Sequence, residues 1–274
     1  SGRVYSMDAA AGFKHWGDTA ALTGADAVQA GVSAQVRAWS NSGAGSFQAT
    51  YTDDVIFAAT WNASATSNKV FALGASNGAV LWTFQDAGNG VDYIAGQPWV
   101  DYAQNRIYVV SRGGSGSNQQ GLWVIKTVTD GEGTQGQPVS SCPACTSLPP
   151  TGLKGVHFET SPTLSYDGNT LYIGDTAGKL YAINAGALTL KWTLDLGAGV
   201  NIKTSGFVWE DWTTAGRLYF VTADGNVRCV QDNGGSAAAC TGWTVTNVAG
   251  ASTPLLLNKL FVGANDGTVR QINL

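Results

Sequence analysis

Charged side chains are scarce in this chain of 274 residues, since Asp, Glu, Lys and Arg together make up 12% of it. This is about half of their usual share in globular domains. Long amphipathic helices need many charged residues on their solvent-facing side, so few such helices are expected. The formal net charge is −4, and Lys and Arg occur singly along the chain. We therefore expect no nucleic-acid partner, because binding phosphates requires a clustered basic surface.

Long apolar runs are also missing. No stretch of about 18 consecutive apolar residues occurs, so we expect no membrane-spanning helix in this chain. The first residues do not show the basic and then apolar order of a signal peptide. Any export signal is therefore expected to lie upstream of Ser1 or to have been removed.

Histidine occurs only at His15 and His157, and we expect both to be packed or solvated rather than catalytic. Glycine, in contrast, accounts for 36 residues, and β-branched and aromatic residues form short runs between glycine-rich turns. Short runs separated by turn residues are typical of strands joined by tight connections. The sequence thus predicts an all-β fold.

Four cysteines form two local pairs, one in SCPACT and one in RCVQDNGGSAAACTGW. A C-x-x-C sequence can be a zinc half-site, a redox pair, a haem attachment or a small disulfide loop. Haem attachment requires histidine next, where this chain has Thr146, and zinc requires a second ligand pair. A redox motif would open a helix, whereas this segment is a proline-rich loop. We predict disulfides between Cys142 and Cys145 and between Cys229 and Cys240, and hence an oxidising compartment.

A repeated phrase organises the chain. GRVYSMDAAAGFKHW at 2–16, NKVFALGASNGAVLW at 68–82 and GKLYAINAGALTLKW at 178–192 each reach tryptophan fourteen residues after their first residue. Two apolar segments separated by a turn, with tryptophan at the end, indicate paired strands. The common spacing indicates an internal repeat.

A second phrase, in which an apolar strand runs into a turn glycine, occurs as LYIGDTAG, LYFVTADG and LFVGANDG. Turn residues Asp167, Asp224 and Asp266 accompany the repeats, and we expect their carboxylates to bond the local backbone. Another strand lies in front, so each unit has four strands and a period of 42–47 residues, which is typical of a β-propeller blade. The predicted units are 30–87, 92–142, 155–198, 201–248 and 250–274, with an N-terminal part-blade at 1–16, in a single domain over 1–274.

The last unit ends at Leu274 without a tryptophan strand. A propeller often closes when its N-terminus supplies the missing outer strand, and FKHW at 13–16 is a candidate. The alternatives are five blades closed in this way, or six or more blades, of which 1–16 is a remnant. Either arrangement avoids an exposed sheet edge.

The repeat resembles the tryptophan-docking repeat of pyrroloquinoline-quinone (PQQ) type propellers over nearly the whole chain. That resemblance implies that the tryptophan of each outer strand packs between neighbouring blades. It also implies a bacterial origin, and relatives of this type include both dehydrogenases and non-catalytic assembly proteins. The residues that match the docking position are Trp16, Trp82, Trp192 and Trp243.

The quinoprotein dehydrogenases that this repeat resembles have eight blades, two adjacent cysteines over the quinone, and a calcium ion. This chain has no adjacent cysteines and fewer repeats, so we predict a protein without enzyme activity or cofactor. The loops DAGNGVD at Asp86 and DGEGTQG at Asp130 have oxygen ligands of the kind that calcium binds, but ordinary turns explain both.

Several aromatic residues are not required by the docking repeat and lie near strand ends or in turns. Amphipathic aromatics in such places suit protein or carbohydrate recognition, although packing between blades is the alternative role. The candidate partner-binding residues are Trp39, Trp61, Trp99, Trp209, Trp212 and Arg37.

We therefore predict a non-enzymatic propeller of the periplasm, cell surface or exterior that serves protein binding, scaffolding or self-assembly. We expect it to be part of a longer polypeptide or surface assembly. The alternative is a ligand-binding or redox propeller related to the PQQ-dependent dehydrogenases.

Overall fold

The computed structural model describes residues 3–7, 9–11, 14, 16, 22, 28, 30–62, 67–85, 91–112, 121–147, 157–202, 206–210, 216–243, 248 and 252–274, although the side chains of residues 146, 147, 209 and 210 are not described. The chain forms two compact units, Ser1–Lys154 and Gly155–Leu274.

The first unit contains two antiparallel sheets whose strands follow chain order. The first sheet consists of β1 Ser33–Gln35, β2 Val55–Ala59, β3 Val70–Gly74 and β4 Val80–Phe84. The second sheet consists of β5 Trp99–Asp101, β6 Arg106–Val110 and β7 Leu122–Lys126. The helices of the described residues are a 3-10 helix at Arg37–Trp39, α1 Phe47–Thr50 and α2 Pro143–Ser147.

The second unit contains three antiparallel sheets, again with strands in chain order. The first has β8 Thr163–Leu164, β9 Thr170–Gly174, β10 Lys179–Asn184 and β11 Leu190–Asp195. The next has β12 Val208–Glu210, β13 Arg217–Val221, β14 Val227–Asp232 and β15 Ala237–Ala239. The last has β16 Leu255–Leu256, β17 Leu260–Gly263 and β18 Val269–Ile272.

The chain is all-β, as the composition predicted, and each of the five predicted repeat ranges contains one of these sheets. No helix among the described residues is long and apolar enough to cross a membrane. The blade number and the closure of a ring by residues 13–16 stay predictions.

The turns between strands depend on carboxylates and glycines. Asp167 accepts the backbone N–H of Asn169 at 3.0 Å, and Asp266 accepts that of Thr268 at the same distance. Hydrogen bonds from Thr268, together with one from Arg270, lower the pKa of Asp266 to about 2. These turn aspartates therefore bond within their own turns, which is the role expected of them.

Residues 136–139 extend the second sheet of the first unit along the outer edge of β7. The Gly136 N–H donates to the Lys126 carbonyl, and the Val139 N–H donates to the Val124 carbonyl, both at 2.9 Å. All five side chains of β7 are buried. An insertion in the repeat thus covers the outer edge of this sheet.

Two charged side chains of this sheet are buried and paired. Lys126 is fully buried, and its Nζ lies 2.6 Å from Asp130 Oδ2 and 3.0 Å from Glu132 Oε2, and donates to the Gln104 carbonyl at 2.8 Å. Arg106 is 2% exposed and donates two hydrogen bonds to the Glu132 carboxylate. Burial opposes ionisation of Glu132, but the bonds from Arg106 and Lys126 outweigh it and lower the Glu132 pKa. Asp130, considered above for calcium, is thus held in an ion pair.

Trp82, a predicted docking residue, joins the two sheets of the first unit. Its Nε1 donates to the Tyr51 hydroxyl at 2.8 Å, and that hydroxyl donates to the Thr127 carbonyl at 2.7 Å. Burial raises the pKa of Tyr51 to about 12, although the bond from Trp82 opposes it. The indole also lies against Gly136, where a Cβ would approach Trp82 Cδ2 to 3.1 Å.

Trp192 makes the corresponding contact in the second unit. Its Nε1 donates to Asp232 Oδ1 at 3.0 Å, at the end of β14 in the next sheet. The Tyr172 hydroxyl donates to the other oxygen of Asp232 at 2.6 Å. Burial, and then the bond to Asp232, raise the Tyr172 pKa. One carboxylate thus holds two aromatic side chains between the sheets.

The other two predicted docking residues also pack against sheets. Trp16 is 4% exposed and its Nε1 donates to the Ala75 carbonyl at 2.6 Å. Trp243 is half-buried, and its ring centroid lies 5.2 Å from that of Tyr219 in β13. All four predicted docking positions therefore have aromatic side chains placed against strands or strand connections.

Both predicted disulfides are present, Cys142–Cys145 and Cys229–Cys240. The surroundings of the first pair differ from the expected irregular loop, because Cys142 directly precedes α2 and Cys145 lies within it. Pro143 explains the difference, since proline is favoured at the first position of a helix.

Candidate functional site

Successive connections of an antiparallel sheet leave from alternate ends. In the β1–β4 sheet, the connections 60–69 and 85–98 therefore lie at one end, and the connections 36–54 and 75–79 lie at the other. The candidate binding residues divide accordingly. Trp61 is at the first end, and Trp39 is at the opposite end.

Two aromatic rings and a guanidinium group meet at the first end. The ring centroids of Trp61 and Tyr93 are 4.9 Å apart with the planes tilted by 47°. The guanidinium carbon of Arg112 lies 5.0 Å from the centroid of the Tyr93 ring. All three side chains are half-buried. We call these three residues the Trp61 cluster.

The loop that carries Trp61 is closed by a buried asparagine. Asn68 accepts the Asn62 N–H at 2.7 Å and donates to the Asn62 carbonyl at 3.0 Å. The Thr60 N–H donates to the Lys69 carbonyl at 3.0 Å. Since buried polar groups need partners, these bonds fix the base of the loop and therefore the position of Trp61.

The segment that carries Tyr93 is anchored on both sides by buried Val91 and Ile94. Between them, Asp92 adopts a left-handed conformation with φ of 55°, and its carboxylate accepts the Tyr93 N–H at 2.8 Å. The Tyr93 carbonyl in turn accepts the Arg112 N–H at 3.0 Å. The ring of Tyr93 is thereby held between the other two members of the cluster.

Arg112 is positioned by the strand ends that precede and follow its loop. The Ser111 N–H donates to the Gly121 carbonyl at 2.8 Å, and the Ser111 hydroxyl accepts Trp123 Nε1 at 3.1 Å. Three loops from two sheets therefore bring the cluster together on a bonded base.

The Trp61 cluster has apolar ring surface, a phenol and a cation. Aromatic and arginine side chains dominate the energetics of protein interfaces, and a guanidinium over a ring is an attractive contact. The three side chains contain no carboxylate, thiol or imidazole. Their chemistry suits recognition of another molecule more than acid–base catalysis.

The predicted residue Arg37 has a different role at the opposite end. Its guanidinium donates to the Tyr51 carbonyl at 2.8 Å and to the Gln48 carbonyl at 3.1 Å. Its N–H donates to Asp54 Oδ1 at 2.7 Å. Arg37 thus holds the 36–54 loop together, while Trp39 in the same loop is 76% exposed.

The other predicted partner-binding residues are not among the three residues of the Trp61 cluster. Trp99 opens β5 and is 37% exposed. Trp209 lies in β12, in the second unit, and its side chain is not described. Trp212, Asp86 and His15 lie outside the described residues, whereas His157 is half-buried and its carbonyl accepts the Thr176 N–H at 2.8 Å. Across the described part of the chain, no three His, Cys, Asp or Glu side chains converge to hold a metal ion.

Sequence reasoning missed Tyr93 and the ion network of Arg106 and Lys126. A signal for Tyr93 was its place in VDYIAG, where aspartate favours the left-handed conformation beside an aromatic residue. The signal for the ion network was a charge at the end of each apolar run, RIYVV and LWVIK, followed by the acidic DGE. Buried charges of this kind need nearby opposite charges.

Comparison with known proteins places the chain among propellers. A family model described as outer membrane protein assembly factor BamB matches residues 1–274. No curated protein sequence matches the chain.

Many solved structures resemble the chain, and three of them serve as examples. BamB from Moraxella catarrhalis is 15% identical with a TM-score of 0.52, covering 81% of this chain and 59% of that one. BBS1N in complex with ARL6DN is 10% identical with a TM-score of 0.54, covering 92% and 65%. The WD40 β-propeller domain of Doa1 is 13% identical with a TM-score of 0.52, covering 81% and 61%. At these identities the likeness shows the fold, and the chain spans less than two thirds of each structure.

Proposed function

Since this chain belongs to the family of outer membrane protein assembly factor BamB, we propose that it is a non-enzymatic propeller that binds a protein partner during the assembly of other proteins. The Trp61 cluster is the observation that carries this proposal. Its rings and guanidinium are held by bonded loop bases, so little side-chain freedom is lost when a partner binds.

The partner side of the interface follows from the chemistry of the cluster. A half-buried indole and phenol bind aliphatic or aromatic side chains, and Arg112 adds preference for a nearby carboxylate or carbonyl oxygen. The partner is therefore a protein segment with an apolar side chain beside an acidic or carbonyl group. BBS1N in complex with ARL6DN is an instance of a protein of similar fold that binds another protein.

We place this activity outside the cytoplasm. The two disulfides support the placement, because disulfides persist in oxidising compartments and are rare in the cytosol. The absence of enzyme activity is part of the proposal. Its test is addition of PQQ and calcium ions, after which quinone absorbance should not stay with the protein and no dye should be reduced with alcohols or sugars.

The binding proposal is tested by removing the cluster. Tagged wild-type protein and the W61A/R112A variant are expressed in the native host, cross-linked and isolated, and bound proteins are quantified by mass spectrometry. The variant should retain its melting temperature within a few degrees but bind the main partner at least about tenfold more weakly, as expected for interface hot spots.

The matched control is W39A, which removes an exposed indole from the opposite end of the same sheet. We expect W39A to bind like the wild type. Loss of the partner from W39A, with full binding by W61A/R112A, would move the binding surface to the 36–54 loop and refute the assignment.

A further inference from the structure

We propose that the Cys142–Cys145 disulfide is a reversible thiol–disulfide exchange site that reacts with an external dithiol at Cys142. The proposal is independent of protein binding at the Trp61 cluster. It is based on the unequal burial of the two cysteines, on a hydrogen bond to one sulfur, and on how little of the sheet depends on the bridge.

The two sulfur atoms differ in access. Cys142 is half-buried and lies just before α2, between exposed Ser141 and exposed Pro143. Cys145 is 3% exposed in α2, which packs against β7. Because an attacking thiolate must reach the sulfur it bonds to, Cys142 is the sulfur that an external thiol attacks.

A hydrogen bond also favours Cys142 as the reactive thiolate. The backbone N–H of Cys145 donates to Cys142 Sγ at 3.2 Å and to the Cys142 carbonyl at 3.0 Å. A donor directed at sulfur stabilises negative charge on it, and the thiolate is the nucleophile in disulfide exchange. The reduced form therefore has an accessible nucleophile at Cys142 and a buried thiol, Cys145, three residues away that closes the bridge.

The bridge is not needed to hold the adjoining segment on the sheet. The Val139 N–H donates to the Val124 carbonyl, and the Ser140 N–H donates to the Glu132 carbonyl, both at 2.9 Å. These bonds end the covering segment before Cys142 is reached. A bridge that spans only three positions removes less unfolded-chain freedom than a longer one, so its structural contribution is small.

The second disulfide of the chain is built differently. Cys229 lies in β14, an inner strand of its sheet, is 5% exposed, and packs in a buried cluster with Tyr219 and Val248. Cys240 packs against the same cluster, and its N–H donates to the Cys229 carbonyl at 3.0 Å. This bridge spans eleven positions inside a packed sheet and is the internal control for the first.

The exchange balances as a two-electron transfer. A thiolate of the external dithiol bonds to Cys142 Sγ, the Cys142–Cys145 bond breaks, and Cys145 leaves as a thiolate that takes up a proton. The second thiol of the dithiol then attacks its own partner sulfur in the mixed disulfide and releases Cys142. The external dithiol becomes a disulfide, and its two protons end on Cys142 and Cys145.

The experiment compares the two bridges in one molecule. The full chain is treated with limiting dithiothreitol under native conditions, quenched with iodoacetamide at intervals, and analysed by peptide mass spectrometry. Cys142 and Cys145 should be alkylated at least about tenfold faster than Cys229 and Cys240, with unchanged tryptophan fluorescence. Equal rates for all four cysteines, or labelling that begins only when denaturant is added, would overturn the proposal.

Single variants then identify the attacked sulfur. C145S leaves Cys142 as a thiol and should form a mixed disulfide with oxidised glutathione at least about tenfold faster than C142S, which leaves the buried Cys145. Equal trapping by the two variants would contradict attack at Cys142. Should either variant fail to fold, the wild-type kinetics still test whether this bridge exchanges faster than Cys229–Cys240.

Discussion

The β5–β7 sheet and the β16–β18 sheet both have three strands, but their third strands differ in what they expose. Every side chain of β7 is buried, whereas β18 exposes three of its four residues, with Val269 74% exposed. The residues that follow β7 return along its outer edge at 136–139. The burial of β7 thus depends on the segment that covers its outer edge. The repeat sequence alone does not determine whether a third strand is buried.

The comparison also separates two kinds of ion pair. Lys126 at the end of β7 is fully buried and pairs with two partly exposed carboxylates, while Arg270 in β18 pairs at 3.0 Å with Asp266 in a half-exposed setting. Exposed pairs contribute little to stability, but removing one partner from a buried pair leaves an uncompensated charge. The covered sheet should therefore be the more sensitive to loss of charge.

The largest expected effect is that of K126M. The substitution removes the cation between Asp130 and Glu132 and should lower the free energy of unfolding by about 3 kcal/mol. The matched variant R270M should lower it by less than about 1 kcal/mol. Urea denaturation followed by fluorescence measures both, and equal losses would remove the distinction between the two sheets.

Two glycines outside the strands, one in the segment after β7 and one in the β17–β18 turn, provide the next comparison. G136A forces a side chain into a left-handed backbone with φ of 72°, where its Cβ would meet the Trp82 ring at 3.1 Å. G267A has a similar φ of 79° and no atom within 4 Å of its Cβ. We expect a loss of about 2 kcal/mol for G136A and about 1 kcal/mol for G267A, since only the first adds a packing clash. Thermal unfolding checks the order, and a larger loss for G267A would contradict it.

The smallest effect concerns pH. The folded-state pKa of Glu132 is lowered, so its stabilising contribution is full above the unfolded pKa of about 4.5 and is lost as pH falls through the folded pKa. Because this carboxylate is 43% exposed, we expect about 1 kcal/mol or less. The free energy of unfolding of E132Q should fall less steeply with decreasing pH in this range than that of the wild type, as measured by urea denaturation at several pH values. An equal slope for the two proteins would exclude a contribution of Glu132 to the pH dependence.

Much of the fold is predictable from local patterns. Strands β9 and β10 follow from the alternation in TLYIG and KLYAIN around a turn, and that turn requires Gly178, which has a φ of 94°. A Cβ there would approach the Val200 carbonyl oxygen to 2.5 Å, so the repeated glycine has a physical cause. Such patterns depend on residues close together in the sequence, so a single sequence is enough to predict them.

The contacts that form the candidate site are less predictable, because they join distant segments. Trp61 was identified as an aromatic residue outside the docking repeat, but its partner Tyr93 lies two strands further along the chain, in the connection 85–98, and Arg112 lies beyond another strand pair. The contact of Trp82 with Gly136 likewise reaches into an insertion with no counterpart in the repeat. When loop lengths are irregular, the spacing of residues in the sequence does not predict which distant residues come into contact.

The hydrogen bonds of the Tyr51 hydroxyl limit how the 36–54 loop can vary over evolution. It joins the 36–54 loop to Trp82 and Thr127, so the loop has one position that is fixed by two other segments. Residues 42–45 of the same loop are exposed, and Gly43 and Gly45 have open space around them. Insertions should therefore accumulate at 42–45 among relatives of this sequence, and substitutions at Ser42 and Ala44, since the positive φ of Gly43 and Gly45 disfavours other residues there. A tyrosine should be retained at the position of Tyr51.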